Sequence, residues 1–151
     1  MIRFFGGRVM TLANGIETQD IEVWTEGSKI VFVGKPKAEE LDGKVFEREY
    51  DLKGNLLMPS FKNAHTHSAM TFLRSYADDM PLQDWLFKQI FPMEAKLDGE
   101  KVYWLTKLAI LEYLTTGCTA AFDMYFELDD YVKACTESGF RSVLCLSLIH
   151  I

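Results

Sequence analysis

The chain has 151 residues, a formal net charge of −6, 48% hydrophobic and 25% charged residues, the make-up of a globular protein with enough apolar mass for a core. That composition excludes disorder over most of the length, and the acidic balance, with no run of Lys or Arg longer than two, argues against nucleic acid or an anionic membrane as partner. No apolar run approaches the ~18 residues of a membrane span, and the start, Met-Ile-Arg-Phe-Phe-Gly-Gly-Arg, lacks the apolar stretch and small-residue cleavage site of a secretory signal.

Residues 1–57 carry short β-type runs punctuated by turn residues. Residues 8–12 end at Ala13-Asn14-Gly15, residues 20–24 alternate polar with apolar, Glu26-Gly27 makes a turn, and residues 29–33 run up to Gly34. A further strand is expected in 45–50, and together these predict a small antiparallel β-sandwich subdomain. After Gly54 the texture changes. The apolar run Leu56-Leu57-Met58-Pro59-Ser60-Phe61 reads as a strand leading into Asn63-Ala64-His65-Thr66-His67, and a helix follows over 81–94 with Pro81 in its first turn.

The clearest helix spans 99–116, capped by Asp98, with Val102, Leu105, Leu108, Ala109 and Glu112 at helical spacing and Gly117 at its end. Residues 119–123 then form a buried strand ending in Asp123. Leu128, Tyr131, Val132 and Cys135 line the next helix, closed by Gly139, and residues 140–149 form a third buried strand. Cys118, Cys135 and Cys145, odd in number and without C-x-x-C spacing, read as reduced core thiols of a cytoplasmic protein.

Strand, helix, strand, helix, strand with apolar strands is the pattern of parallel β/α units. Residues 58–151 hold about three such units, whereas a closed (β/α)8 barrel needs about 250 residues. The chain stops inside the apolar run Leu146-Ser147-Leu148-Ile149-His150-Ile151, so it reads as the N-terminal fragment of a longer protein. The expected fold class is therefore α/β: a β subdomain over 1–57 and the first three units of a TIM barrel over 58–151.

His65-Thr66-His67 is the sharpest chemical feature. In a strand, residues i and i+2 face the same way, so both imidazoles can reach one ion from the carboxyl end of a barrel strand, where barrel active sites form. The spacing alone also describes two surface histidines.

The stretch from Gly54 through His67 resembles the first-strand metal motif of the amidohydrolase superfamily, in the branch of purine, pyrimidine and triazine aminohydrolases. The continuation His67-Ser68-Ala69-Met70-Thr71-Phe72-Leu73-Arg74-Ser75-Tyr76-Ala77, with Leu82-Gln83-Asp84-Trp85-Leu86 and Phe91-Pro92-Met93-Glu94, is similar to the 5-methylthioadenosine/S-adenosylhomocysteine deaminases. Ser60 departs from the pattern, which more often has Gly after the Pro. The resemblance implies a metal-dependent (β/α)8 hydrolase in which His65 and His67 are two ligands of one divalent ion, usually zinc, with iron open. It further implies that Glu94 contacts the ribose hydroxyls of a nucleoside substrate; an exposed helix-end carboxylate is the plain alternative. The remaining ligands and the acid/base groups belong to later strands, so no catalytic group is assigned within this chain, and His150 is not promoted to ligand.

Asp123 lies on the catalytic rim by position, where a structural hydrogen bond is the simpler role. Trp85 and Phe72 can line an aromatic pocket, while Trp104 is expected in the core. The readings carried forward are a zinc-dependent deaminase of an aminopurine nucleoside with this fragment inactive alone, another heterocycle amidohydrolase (a chlorohydrolase, or a guanine or cytosine deaminase type), and a small non-catalytic α/β module. The partner in the first two is a small molecule.

Overall fold

In the computed structural model, which describes residues 1–13 and 15–147, the chain divides into two units, residues 1–59 and residue 60 onward. The first unit contains β1 (Ile2–Phe5), β2 (Arg8–Thr11), β3 (Glu17–Gln19), β4 (Glu22–Glu26), β5 (Lys29–Gly34), a single helical turn α1 (Ala38–Leu41), β6 (Arg48–Asp51) and β7 (Leu56–Leu57). They form a four-stranded sheet in the order β5-β4-β1-β6 and a three-stranded sheet in the order β3-β2-β7. The expected all-antiparallel arrangement is corrected here: β1 pairs with β6, and β2 with β7, in parallel. Adjacent runs do make antiparallel pairs, β4 with β5 and β2 with β3, but the partners that arrive late in the chain do not come through a hairpin and are free to run parallel.

Trp24 anchors the first unit. It is buried, stacks on Phe32 with ring centroids 4.1 Å apart, and meets Phe46 edge-on at 5.2 Å. Its indole N–H donates to Glu22 Oε2, and Arg3 grips both oxygens of Glu22 at 2.6 and 2.7 Å while reaching Glu49 at 2.8 Å. Gly7 is required by close approach, since a Cβ there would collide with the Asn55 carbonyl and the Leu52 side chain.

The second unit is a parallel sheet in the order β10-β9-β8, built from β8 (Phe61–Thr66), β9 (Cys118–Tyr125) and β10 (Arg141–Leu146). The strand expected over 56–61 is split. Leu56–Leu57 belongs to the first unit, and the parallel strand starts only at Phe61, beyond Pro59, whose ring removes a ladder donor. Between β8 and β9 lie a 3-10 segment (Ser68–Leu73), a continuous helical stretch over 82–94, and α4 (Gly99–Thr115); α5 (Leu128–Ser138) joins β9 to β10.

The stretch over 82–94 is α2 (Leu82–Asp84), a π-helical turn (Trp85–Ile90) and α3 (Phe91–Glu94). Pro92 explains the wide turn: it has no N–H and its ring would strike the carbonyl four residues back. Phe91 instead donates to the Leu86 carbonyl, five residues back.

Asp98 caps α4 by accepting from the Lys101 N–H at 3.0 Å, and Gly139, at φ 64°, closes α5 in the left-handed region. Val102, Thr106, Ala109 and Ile110 of α4 face inward, and Val102 and Ile110 share a core with Ala121, Tyr125, Tyr131, Cys135 and Phe140. Trp104 corrects the expectation of a core residue: it is 61% exposed, beside exposed Leu108 and Leu111. The helix is apolar on two sides, and the side bearing Val102 and Ile110 is the one that packs.

β10, expected as a buried strand over 140–149, is only half-buried, because it is an edge strand of the sheet; Val143 and Leu146 are exposed. Leu148, Ile149 and His150 of that expected strand, and Asn14 of the expected turn, lie outside the described residues. The three cysteines are free, with Cys118 and Cys135 buried and Cys145 half-buried. Burial pushes the Cys135 thiol up to about 11. No helix among the described residues is long and apolar enough to cross a membrane.

Candidate functional site

β8 delivers the His-x-His segment to the carboxyl end of the parallel sheet. Register runs from Asn63 opposite Ala121 to Thr66 opposite Asp123, three steps on β8 against two on β9, so β8 carries one extra residue around Ala64 and His65. Such a bulge re-aims side chains at a strand end. Asn63 Oδ1 accepts from the His65 N–H at 3.2 Å within this kink. The His65 and His67 rings come together with centroids 5.2 Å apart and planes at 81°.

His67 is held from β9. Its Nδ1 lies 2.7 Å from the Met124 carbonyl oxygen, which can only accept, so Nδ1 is the donor, and in the neutral ring the lone pair is on Nε2. That arrangement suits a metal-binding imidazole, whose second nitrogen is usually engaged by a carbonyl or carboxylate. The ring spacing also fits: two imidazoles on one tetrahedral ion with bonds of ~2 Å have ring centres about 5 Å apart. Among the described residues no group of three or more His, Cys, Asp or Glu side chains is arranged to hold an ion. The pair offers two imidazoles, where a tetrahedral ion takes four ligands.

A network of hydroxyls and one carboxylate lies beneath this segment. Thr66 and Tyr113 hydroxyls are 2.5 Å apart, Tyr113 and Ser68 hydroxyls 2.9 Å apart, and Asp123 Oδ2 accepts from the Ser68 N–H at 3.0 Å and from the Tyr131 hydroxyl at 2.6 Å. Asp123 is fully buried, and its Oδ1 has no hydrogen-bond partner among the described residues. Burial, together with the bond to Asp123, pushes the Tyr131 phenol well up, so it stays a donor. The backbone on both sides of His67 is thus tied to α4, α5 and β9, and Asp123 has the structural role that its position left open.

Glu94 is buried rather than exposed, and accepts from the Tyr125 hydroxyl at 2.8 Å. A hollow of about 100 Å³ brings Glu94 and His67 together, with Met70, Trp85, Phe91 and Ser147 among its walls. His65 is not among its lining residues. Trp85 lines the hollow as expected. Phe72 does not; it lines a different one with Leu97 and Trp104. A larger hollow of about 680 Å³ lies in the first unit, but its walls include no histidine.

Residues 56–149 match the Amidohydrolase family. The chain belongs to the amidohydrolase family. This amidohydrolase chain is 44% identical over 128 residues to a 5-methylthioadenosine/S-adenosylhomocysteine deaminase of Desulfitobacterium hafniense (strain DSM 10664 / DCB-2), covering 85% of this chain and 30% of that protein. It is 44% identical over 133 residues to a 5'-deoxyadenosine deaminase of Methanocaldococcus jannaschii, covering 88% and 30%. Among solved structures, a zinc-bound adenosine deaminase from Xanthomonas campestris superposes with a TM-score of 0.86 at 33% identity, over 94% of this chain and 33% of that one. A zinc complex of atrazine chlorohydrolase from Arthrobacter aurescens TC1 gives 0.82 at 22% identity, over 97% and 35%, a likeness of fold alone. The chain spans about 30% of the length of these curated relatives.

Sequence reasoning missed Tyr113, Tyr125 and Tyr131 of this amidohydrolase chain. Their hydroxyls meet partners 45, 31 and 8 residues away. The one available signal was compositional: tyrosines at apolar positions of helix and strand need a polar partner when buried.

Proposed function

We propose that this chain supplies part of a metal-dependent deaminase of aminopurine nucleosides, such as 5-methylthioadenosine or S-adenosylhomocysteine. In this proposal residues 1–57 form its N-terminal β subdomain and residues 58–151 the opening units of its (β/α)8 barrel. His65 and His67 hold one divalent ion, zinc in first place and iron in second. Such an ion, when bound, supplies the Lewis acidity that makes water a nucleophile near neutral pH.

The chain's own residues do the remaining work assigned to them here. The Met124 carbonyl keeps His67 in the tautomer with its lone pair on Nε2. Trp85, Phe91 and Met70 exclude water from the hollow, and Glu94, which lines it too, accepts hydrogen bonds from the sugar hydroxyls. A cytoplasmic location accords with three free cysteines.

The observation that carries this reading is that His67 and Glu94, 27 positions apart in sequence, line one hollow. A buried carboxylate facing a metal-type histidine suits a ligand with hydroxyl donors, and a chlorinated triazine has none to offer. The test is ammonia release from 5-methylthioadenosine and adenosine by the full-length enzyme containing this chain, loaded with zinc. Turnover that vanishes on chelation and returns with metal is expected, and the 151-residue chain alone should release none. Metal-independent turnover, or His67-dependent turnover by the isolated chain, overturns the proposal.

A further inference from the structure

Three consecutive residues at the end of β9 each hold a different part of the site. Asp123 accepts from the Ser68 N–H at 3.0 Å, the Met124 carbonyl accepts from His67 Nδ1 at 2.7 Å, and the Tyr125 hydroxyl donates to Glu94 Oε1 at 2.8 Å. The first two contacts act on the histidine segment. The third acts on another lining residue of the same hollow, 31 positions away in sequence.

Both members of this last pair are buried, Tyr125 at 1% exposure and Glu94 at 3%. Burial, followed by the neighbouring charge of Glu94, pushes the Tyr125 phenol far up, so the hydroxyl keeps its proton and serves as donor to the carboxylate. A bond from a hydroxyl to a charged acceptor is about twice as strong as a neutral one, and it selects among the rotamers of a side chain with three torsions. Glu94 sits at the end of the helical stretch whose π turn at Trp85–Ile90 adds an extra residue to one turn, and the Tyr125 hydroxyl meets its carboxylate from the sheet.

We propose that Tyr125 is a positioning residue that sets sugar specificity: its hydroxyl aims the Glu94 carboxylate at the vicinal hydroxyls of a bound ribonucleoside. The aim is kept in register with His67 because Met124 and Tyr125 are adjacent on one strand. This inference rests on the deaminase reading, and on Glu94 as the acceptor for the sugar. Losing the Tyr125 hydroxyl leaves the carboxylate present without this bond to aim it, so the loss falls on substrates that carry the hydroxyls and spares those that lack them.

The experiment compares kcat/KM for adenosine with that for its 2′,3′-dideoxy analogue in the full-length enzyme, for the natural sequence, Glu94→Gln, Tyr125→Phe and Tyr125→4-aminophenylalanine. Bound zinc and a thermal melt are recorded on each preparation. Tyr125→Phe is expected to cut the ribose preference about tenfold, the scale of one hydrogen bond to a charged group, mainly through KM, with zinc content unchanged. Tyr125→4-aminophenylalanine, which keeps an N–H donor at the position of the hydroxyl, should restore most of the preference. Because both substrates are assayed on one preparation, partial unfolding cancels in the ratio.

If Glu94→Gln loses the preference while Tyr125→Phe keeps it, Tyr125 only packs, and the inference falls with the Glu94 reading intact. If Glu94→Gln keeps it as well, the Glu94 reading falls first. Should Tyr125→Phe not accumulate as folded protein, Tyr125→4-aminophenylalanine decides: a preference within about threefold of the natural sequence supports the inference, and its loss overturns it.

Discussion

In the unit of residues 1–59 the strongest polar contacts stay near water: Arg3 joins Glu22 and Glu49 with side chains 18%, 16% and 47% exposed. In the unit from residue 60 onward they are buried, with Asp123 at 0% and Glu94 at 3% exposure, each receiving a tyrosine hydroxyl. The two arrangements carry different costs. A partly exposed ion pair gives up little hydration and gains little, whereas a buried carboxylate is tolerated only where hydrogen bonds replace the water it has lost. The second unit accepts that cost at the carboxyl ends of its strands, where the two histidines lie. The contrast teaches that polar groups in the first unit hold a sheet together, while those in the second fix directions.

The sharpest way to break this contrast is His67→Ala in the full-length enzyme, where turnover should fall to background if His67 holds the ion as proposed. Ammonia release and zinc content read the outcome, and retained turnover in metal-replete buffer would detach the buried network from any chemistry. Next in size is Asp123→Leu, which leaves the Ser68 N–H without its acceptor and the Tyr131 hydroxyl with only its longer contacts to the Ser68 and Ser142 hydroxyls at 3.3 Å. At about 1–3 kcal/mol for an orphaned donor, urea unfolding should show a loss of roughly 2–3 kcal/mol, and Asp123→Asn, which keeps an acceptor oxygen, should recover much of it.

Thr66→Val removes one partner of Tyr113 and is expected to cost about 1 kcal/mol in the same assay. The smallest effect belongs to the first unit: Glu22→Gln should change stability by about 1 kcal/mol or less at neutral pH. Its pH dependence has a definite sign. The Arg3 guanidinium holds the Glu22 carboxyl below its ordinary 4.5, so the pair's contribution is complete above that value and is lost as pH falls through the lower folded one. The indole proton of Trp24, bonded to Glu22, reports this by NMR; an acid response unchanged in Glu22→Gln would show that another group carries it.

The features legible in the sequence were those set by local rules. Asp98 before a helical period, Gly139 after one, and the apolar run over 119–123 each follow from capping or strand composition within a few residues, although the strand runs on past Asp123 to Tyr125. The His-x-His pair was legible as spacing, although the bulge at Ala64 and His65 was not, because it is defined by register against β9. The parallel pairs of the first unit were hidden for the same reason: which strand lies beside β1 depends on residues 46 positions away. Trp104 was misjudged because α4 is apolar on two sides, so periodicity could not say which side packs. The tyrosine hydroxyls that direct Glu94 and Asp123 are long-range partners, and periodicity carries no information about them.

The elevated thiol of Cys135 turns that residue into a clock for the second unit. At about 11, only about one molecule in a thousand carries the thiolate at pH 8, and only the thiolate reacts with an alkylating reagent. While α5 stays packed, Cys135 is both shielded and protonated. Modification by iodoacetamide must therefore wait for α5 to lift from the core, and its rate divided by that of a free thiol gives the opening equilibrium directly. Zinc or a nucleoside added to the full-length enzyme would slow that clock only by steadying the helix that carries Tyr131, which makes alkylation a measure of ligand binding that requires no turnover.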